Sequence, residues 1–104
     1  MIEKDKRDEI ATNIENIVSD FFNLHKDDVF SKNLKREFVI ARHMTIFMLH
    51  DVCKFSIRYL ANRYDHSVRS TNRVCANMRD YISYDKKTRT QYNCLLRYIK
   101  EKGE

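Results

Sequence analysis

The chain contains no proline, and its single glycine is Gly103, the next-to-last residue. Strand-rich folds need turn formers at short intervals. Their absence, beside abundant Lys, Arg, Glu, Leu and Met, points to helices joined by tight polar turns. The expected fold class is all-α, a compact bundle of five to six helices. Cysteine is scarce: Cys53, Cys75 and Cys94 are odd in number, widely spaced and form no CxxC. Each is expected on an apolar helical face, as reduced core cysteines in a cytosolic protein rather than disulfides. Long apolar runs are missing too. Met44 to Leu49 around Thr45 is the longest, far short of the roughly 18–20 residues of a membrane span, and no apolar signal region opens the chain. The expectation is a soluble protein of the cytoplasm that makes no membrane contact.

With 104 residues the chain is read as one domain, 1–104. Its net charge of +5 is unevenly spread. Residues 1–30 hold four Lys/Arg against eight Asp/Glu, a net of −4, and residues 31–104 hold sixteen against seven, a net of +9. An acidic lead helix on a basic body suggests a polyanionic partner for the body.

Periodicity predicts a first helix over about Lys6–Asn23, with Ile10, Ile14, Ile17, Val18, Phe21 and Phe22 inward and acids between them. A turn and a short helix follow over His25–Phe30, then a basic connection, Ser31-Lys32-Asn33-Leu34-Lys35-Arg36. The helix over about Arg36–Cys53 is apolar around most of its circumference and is expected to be the central one, its methionines in the core. Ser56 is placed to cap a helix over 57–63, Ser67 another over about Val68–Ser83. Asp85-Lys86-Lys87 reads as a polar break before a last helix over about Thr88–Glu101, with Tyr92, Leu95, Leu96 and Ile99 as its seam.

The stretch 56–83 reads as a helix-turn-helix. Ala61 supplies the small residue where two helices cross, and Tyr64, Val68, Val74 and Cys75 close the corner. Asp65 stands in for the usual turn glycine, since Asp tolerates positive φ better than most residues. At about 100° per residue, Val68, Thr71, Cys75, Met78 and Ile82 share the inner face of the second helix. Arg69, Asn72, Arg73, Ala76 and Asp80 share the outer one, with Ser70 and Asn77 at its edge. Arginine grips guanine bidentately, asparagine does the same for adenine, and hydroxyls reach bases or phosphates.

Three stretches occur in order along the chain: Asp28-Val29-Phe30-Ser31-Lys32, Ala41-Arg42-His43-Met44 and Ser56-Ile57-Arg58-Tyr59-Leu60-Ala61. By their order and spacing, the features from about Ile14 to Ile99 resemble the C-terminal DNA-binding domain of DnaA, the bacterial chromosomal replication initiator, a Trp-repressor-like helix-turn-helix fold. The resemblance implies a basic loop in the minor groove, an arginine early in the long helix on phosphate, and a recognition helix in the major groove. Arg42 matches the phosphate arginine and Lys32 the loop lysine. Leu34 falls where the minor-groove arginine is expected, with Lys35 beside it as a partial replacement. Asp65-His66-Ser67 looks like the family's Asp-His-Thr. Aligning the apolar positions instead sets His66-Ser67-Val68-Arg69-Ser70 opposite Arg-Asp-His-Thr-Thr, and burial favours this second register.

The expected base contacts are therefore Arg69, Ser70, Asn72 and Arg73. The expected phosphate contacts are Lys32, Lys35, Arg42, Arg58, His66 and Ser67. No GxxxxGK[ST] is present, so the expectation is a reader without an ATPase domain. The expectation is a free-standing binder of double-stranded DNA in a mobile element or a regulator of replication or transcription. Its alternative is a helical module whose DNA-reading face has turned to a protein partner. No metal or cofactor is expected: His43 and His50 are two turns apart, about 10 Å by helical rise, and His66 with Asp65 has neither a nucleophile nor a second carboxylate nearby. Nothing in the sequence assembles a catalytic site.

Overall fold

In a chain so short of glycine, helices must end on other residues, and three do so in the left-handed region. Asn23 (φ 57°), Lys54 (φ 64°) and Asp65 (φ 56°) carry the chain out of a helix and into the next turn. The computed structural model describes residues 2–102, with side chains from 6 to 101. Gly103 lies outside the described residues.

Six helices follow in order: α1 (Ile2–Phe21), α2 (Lys26–Val29), α3 (Arg36–Asp51), α4 (Ile57–Arg63), α5 (Val68–Tyr84) and α6 (Lys86–Lys102). Among the described residues there is no strand, and no helix is long and apolar enough to cross a membrane. The all-α expectation holds, while several boundaries move. The first helix stops at Phe21, two residues early, because left-handed Asn23 lets the Leu24 amide turn back to the Ser19 carbonyl at 2.9 Å. The expected break at 85–87 shrinks to Asp85. Its Oδ2 accepts from the Thr88 amide at 2.9 Å and the Thr88 hydroxyl at 2.6 Å, so the last helix begins at Lys86.

The axis of the molecule is α3, packed by α1, α2, α4 and α5, while α6 closes the bundle against α5 and α1. Met44, Ile46, Met48 and Leu49 are fully buried, each stabilising the fold by about 1.5–3 kcal/mol. The Thr45 hydroxyl among them donates to the Ala41 carbonyl at 2.9 Å, so no polar atom of that side chain is stranded.

Three expectations about burial fail. Ile10 and Phe21 are exposed, because α1 lays only the stripe Ala11, Ile14, Ile17 and Val18 on the core. Cys94 is exposed on α6, and Cys53 is half-buried in the turn after α3; only Cys75 is a core residue, and all three thiols are free. Val68 is 46% exposed, since the first residue of α5 precedes the part of the helix that the corner covers.

Candidate nucleic-acid interface

The corner between α4 and α5 is built from local hydrogen bonds. Ser56 caps α4 by accepting from the Tyr59 amide at 3.1 Å, and Ser67 caps α5 by accepting from the Ser70 amide at 3.0 Å. Between them the His66 amide reaches the Ala61 carbonyl at 2.9 Å, and the Asp65 amide reaches Asn62 at 3.4 Å. This is the Schellman closure, in which a left-handed residue satisfies the last helical carbonyls. Buried Ala61, Val74, Cys75 and Met78 fill the inside of the corner.

A buried carboxylate holds the corner to the rest of the fold. Glu15 on α1 is 5% exposed. It accepts from Arg63 Nε at 2.9 Å and from the Tyr64 hydroxyl at 2.6 Å, with Lys26 at 3.6 Å. Arg63 also reaches Thr12 and Asp8, and the Tyr59 hydroxyl donates to Asp8 at 2.5 Å. Burial and the adjacent carboxylate both push the Tyr64 hydroxyl above the ordinary tyrosine range. Burial pulls Arg63 down, but its bond to Glu15 wins and holds it above the usual arginine value. Sequence reading missed this network, because it placed the acids of the first helix between its apolar positions and singled out none of them. The signal was there: Glu15 lies four residues after Ala11 and three before Val18, on the apolar stripe itself.

The outer face of α5 is its opposite. Arg69, Ser70, Asn72 and Arg73 are all exposed. Their side chains make no hydrogen bond, ion pair or ring contact with the described residues. Arg69 and Arg73 are one turn apart, about 6 Å along the axis. Val68 joins this face at its leading end, a position the sequence had assigned inward. No acid occurs on it before Asp80, so the N-terminal half of α5 is the cationic half.

Beside the corner runs the loop between α2 and α3, and it is tightly braced. The Ser31 hydroxyl donates to the Asp28 carbonyl at 2.8 Å, and the Asn33 amide donates to Ser31 Oγ at 3.2 Å. The Lys35 amide donates to Asn33 Oδ1 at 2.9 Å. Lys32 touches the turn through Asp65 at 3.3 Å, both side chains 86% exposed.

The six expected phosphate contacts are not alike. Lys32, Lys35 and Ser67 are exposed on the loop and at the start of α5. Arg42 is 8% exposed: its Nε donates to the Val29 carbonyl at 2.8 Å and an Nη to the Asn33 carbonyl at 2.6 Å. It clamps the loop to α3 from beneath, and burial lowers its pKa. His66 lines the same hollow as Arg42, Lys32 and Leu34. Its Nδ1 is buried with no hydrogen-bond partner among the described residues. Burial first and nearby Arg42 second depress its pKa, favouring the neutral ring, a donor rather than a charge. Arg58 is exposed elsewhere, beside Arg7 and Asp8 at the head of α1.

A family model described as the bacterial dnaA protein helix-turn-helix matches residues 11–76. That span runs from Ala11 on α1 to Ala76 on α5, well over half of the chain. The protein belongs to this DnaA helix-turn-helix family. It is a DNA-binding helix-turn-helix domain, whose second half of α5 and whole of α6 lie beyond the matched span. A comparison with curated proteins gives no match. Among the described residues no three His, Cys, Asp or Glu side chains gather where they could hold a metal ion.

Proposed function

We propose that this DnaA-type domain binds double-stranded DNA with the N-terminal half of α5 in the major groove and the 31–35 loop on the neighbouring backbone and minor groove. The observation that carries the reading is the set of uncommitted side chains on α5. Arg69 and Arg73 reach guanine edges, Asn72 adenine, and Ser70 either a base or a phosphate. Exposed Val68 meets a thymine methyl, the apolar feature of the major groove. Lys32, Lys35 and Ser67 hold phosphates directly. His66 donates to one as a neutral ring, and Arg58 holds one at the far end of α4. Arg42 serves phosphate contact by fixing the loop that presents the lysines. The setting this supports is control of replication or of transcription in the bacterial cytoplasm.

Replacing Arg69 and Arg73 together by alanine removes two base-edge grips and costs about 2–4 kcal/mol of duplex affinity, with the fold intact. Affinity of the wild type falls steeply with salt, as release of counterions from several phosphates requires. Unchanged duplex binding by the double variant in a fluorescence-anisotropy titration overturns the assignment of the reading face. Leu34, 84% exposed, gives a second reading some support: a protein partner in place of DNA. Absence of any shift with random duplex at low salt favours that reading.

A further inference from the structure

The last helix, Lys86–Lys102, holds six Lys/Arg against one Glu, a net of +5 that equals the charge of the whole chain. The DNA-reading face proposed above uses none of it, and the family match stops at residue 76, before α6 begins. At about 100° per residue, Lys86, Arg89, Thr90, Asn93, Arg97 and Lys100 share one arc about 100° wide. All six are exposed, and the arc lies opposite buried Thr88, Leu95 and Ile99. No carboxylate falls within it; Glu101 stands just past its edge. The side chains of Lys86, Arg97 and Lys100 make no hydrogen bond, ion pair or ring contact with the described residues. Arg89 keeps one nitrogen on the end of α5, donating to the Ser83 carbonyl at 2.8 Å.

Two properties of this face select its occupant. The apolar side of α6 is already buried in the core, so the helix has no apolar face to sink into a lipid surface. The cations form two pairs, Lys86 with Arg89 and Arg97 with Lys100, about 16 Å apart along the axis. Pairs so spaced reach the strands on either side of a duplex groove, the major one being about 12 Å wide, and grip phosphates without reading bases. The duplex read by α5 is out of their joint reach. A recognition helix meets DNA with its N-terminal residues, and Ser83, to which Arg89 is bonded, lies about 20 Å further along α5 than Ser70. We propose that the outer face of α6 holds the backbone of a second duplex, independently of its sequence, so that one molecule bridges two double helices. The inference rests on the duplex-DNA reading above and adds a second DNA surface to it.

Bridging is read on beads that carry one duplex, with a fluorescent duplex of unrelated sequence added in solution. Wild type retains the label at low salt. Lys86→Gln/Arg97→Gln/Lys100→Gln retains about tenfold less, since phosphate contacts dominate sequence-independent binding. The three side chains are exposed, so the triple variant keeps the wild-type melting curve, and its affinity for a single duplex stays within about twofold. In sedimentation velocity with excess duplex, one wild-type chain carries two duplexes and one triple-variant chain carries one. Retention that survives in the triple variant, two duplexes carried by two chains, or single-duplex affinity that falls as steeply as bridging overturns the inference and leaves the DNA reading standing. So does wild type that binds the beads but retains no label; co-sedimentation with phosphatidylglycerol vesicles would then give α6 to a membrane surface. Failure of wild type to bind the beads at all overturns the DNA reading, and this inference with it.

Discussion

Arginine is used in two opposite ways on the two sides of the helix-turn-helix. On the side facing α1, Arg63 is packed against Tyr64 and bonded to Glu15, Asp8 and Thr12. On the outer face of α5, Arg69 and Arg73 have no partner among the described residues. The difference separates holding from reading. A guanidinium that has satisfied its donors inside the fold contributes rigidity, and one that has not is available to a ligand of opposite charge. Counting arginines, or summing the +9 body, would not distinguish the two.

The comparison is broken most severely at Arg63. Its replacement by alanine strands a buried carboxylate and is expected to cost about 3–5 kcal/mol of unfolding free energy, read by urea titration. A loss below 1 kcal/mol would mean that Lys26 and Tyr64 alone satisfy Glu15. The Arg69/Arg73 double variant gives the complementary result: stability within about 0.5 kcal/mol of wild type, as for other surface changes, with the loss confined to DNA affinity.

A third test lies beneath the loop, at His43. Burial, then Arg42 and then His66, depress its pKa from 6.5 to about 4. The unfolded chain therefore binds a proton that the folded one refuses between these values. Stability from this group is complete above pH 6.5 and is lost as pH falls toward 4, by about 2 kcal/mol once partial exposure is allowed for. His43→Gln should flatten that part of the profile, and an identical slope in the variant would exclude His43 as its source. The smallest effect is expected at Asp65. Asp65→Asn keeps a residue suited to positive φ, releases Lys32 and removes one negative charge from the turn. Duplex affinity should rise by about threefold at low salt and converge with wild type at high salt; an unchanged or weaker affinity at low salt would place the turn away from the phosphates.

Much of this architecture is legible in the sequence where its causes are local. Ser56, Ser67 and Asp65 act within three residues of themselves, and both caps and the left-handed turn occur where the spacing puts them. The apolar circumference of α3 likewise announces a buried helix. Long-range causes are hidden. Glu15 is buried because Arg63, 48 positions away, meets it. Arg42 turns inward because the loop folds over it and offers two carbonyls. Val68 is exposed because the corner covers α5 only from its second turn, a fact about packing that a helical wheel does not contain. Cys94 has an apolar residue's usual reputation but stands on the uncovered side of α6.

The linkers are all short: 22–25, 30–35, 52–56, 64–67 and Asp85 alone. None contains proline, and helix pairs adjacent in the chain are also packed together. Folding therefore begins from contacts close in sequence, with little loop entropy to overcome before they form. No prolyl bond exists to divide the unfolded molecules into slow and fast populations. Refolding from urea should be a single kinetic phase finished within milliseconds, so a binding face once lost to denaturation is restored almost as fast as the solution can be mixed.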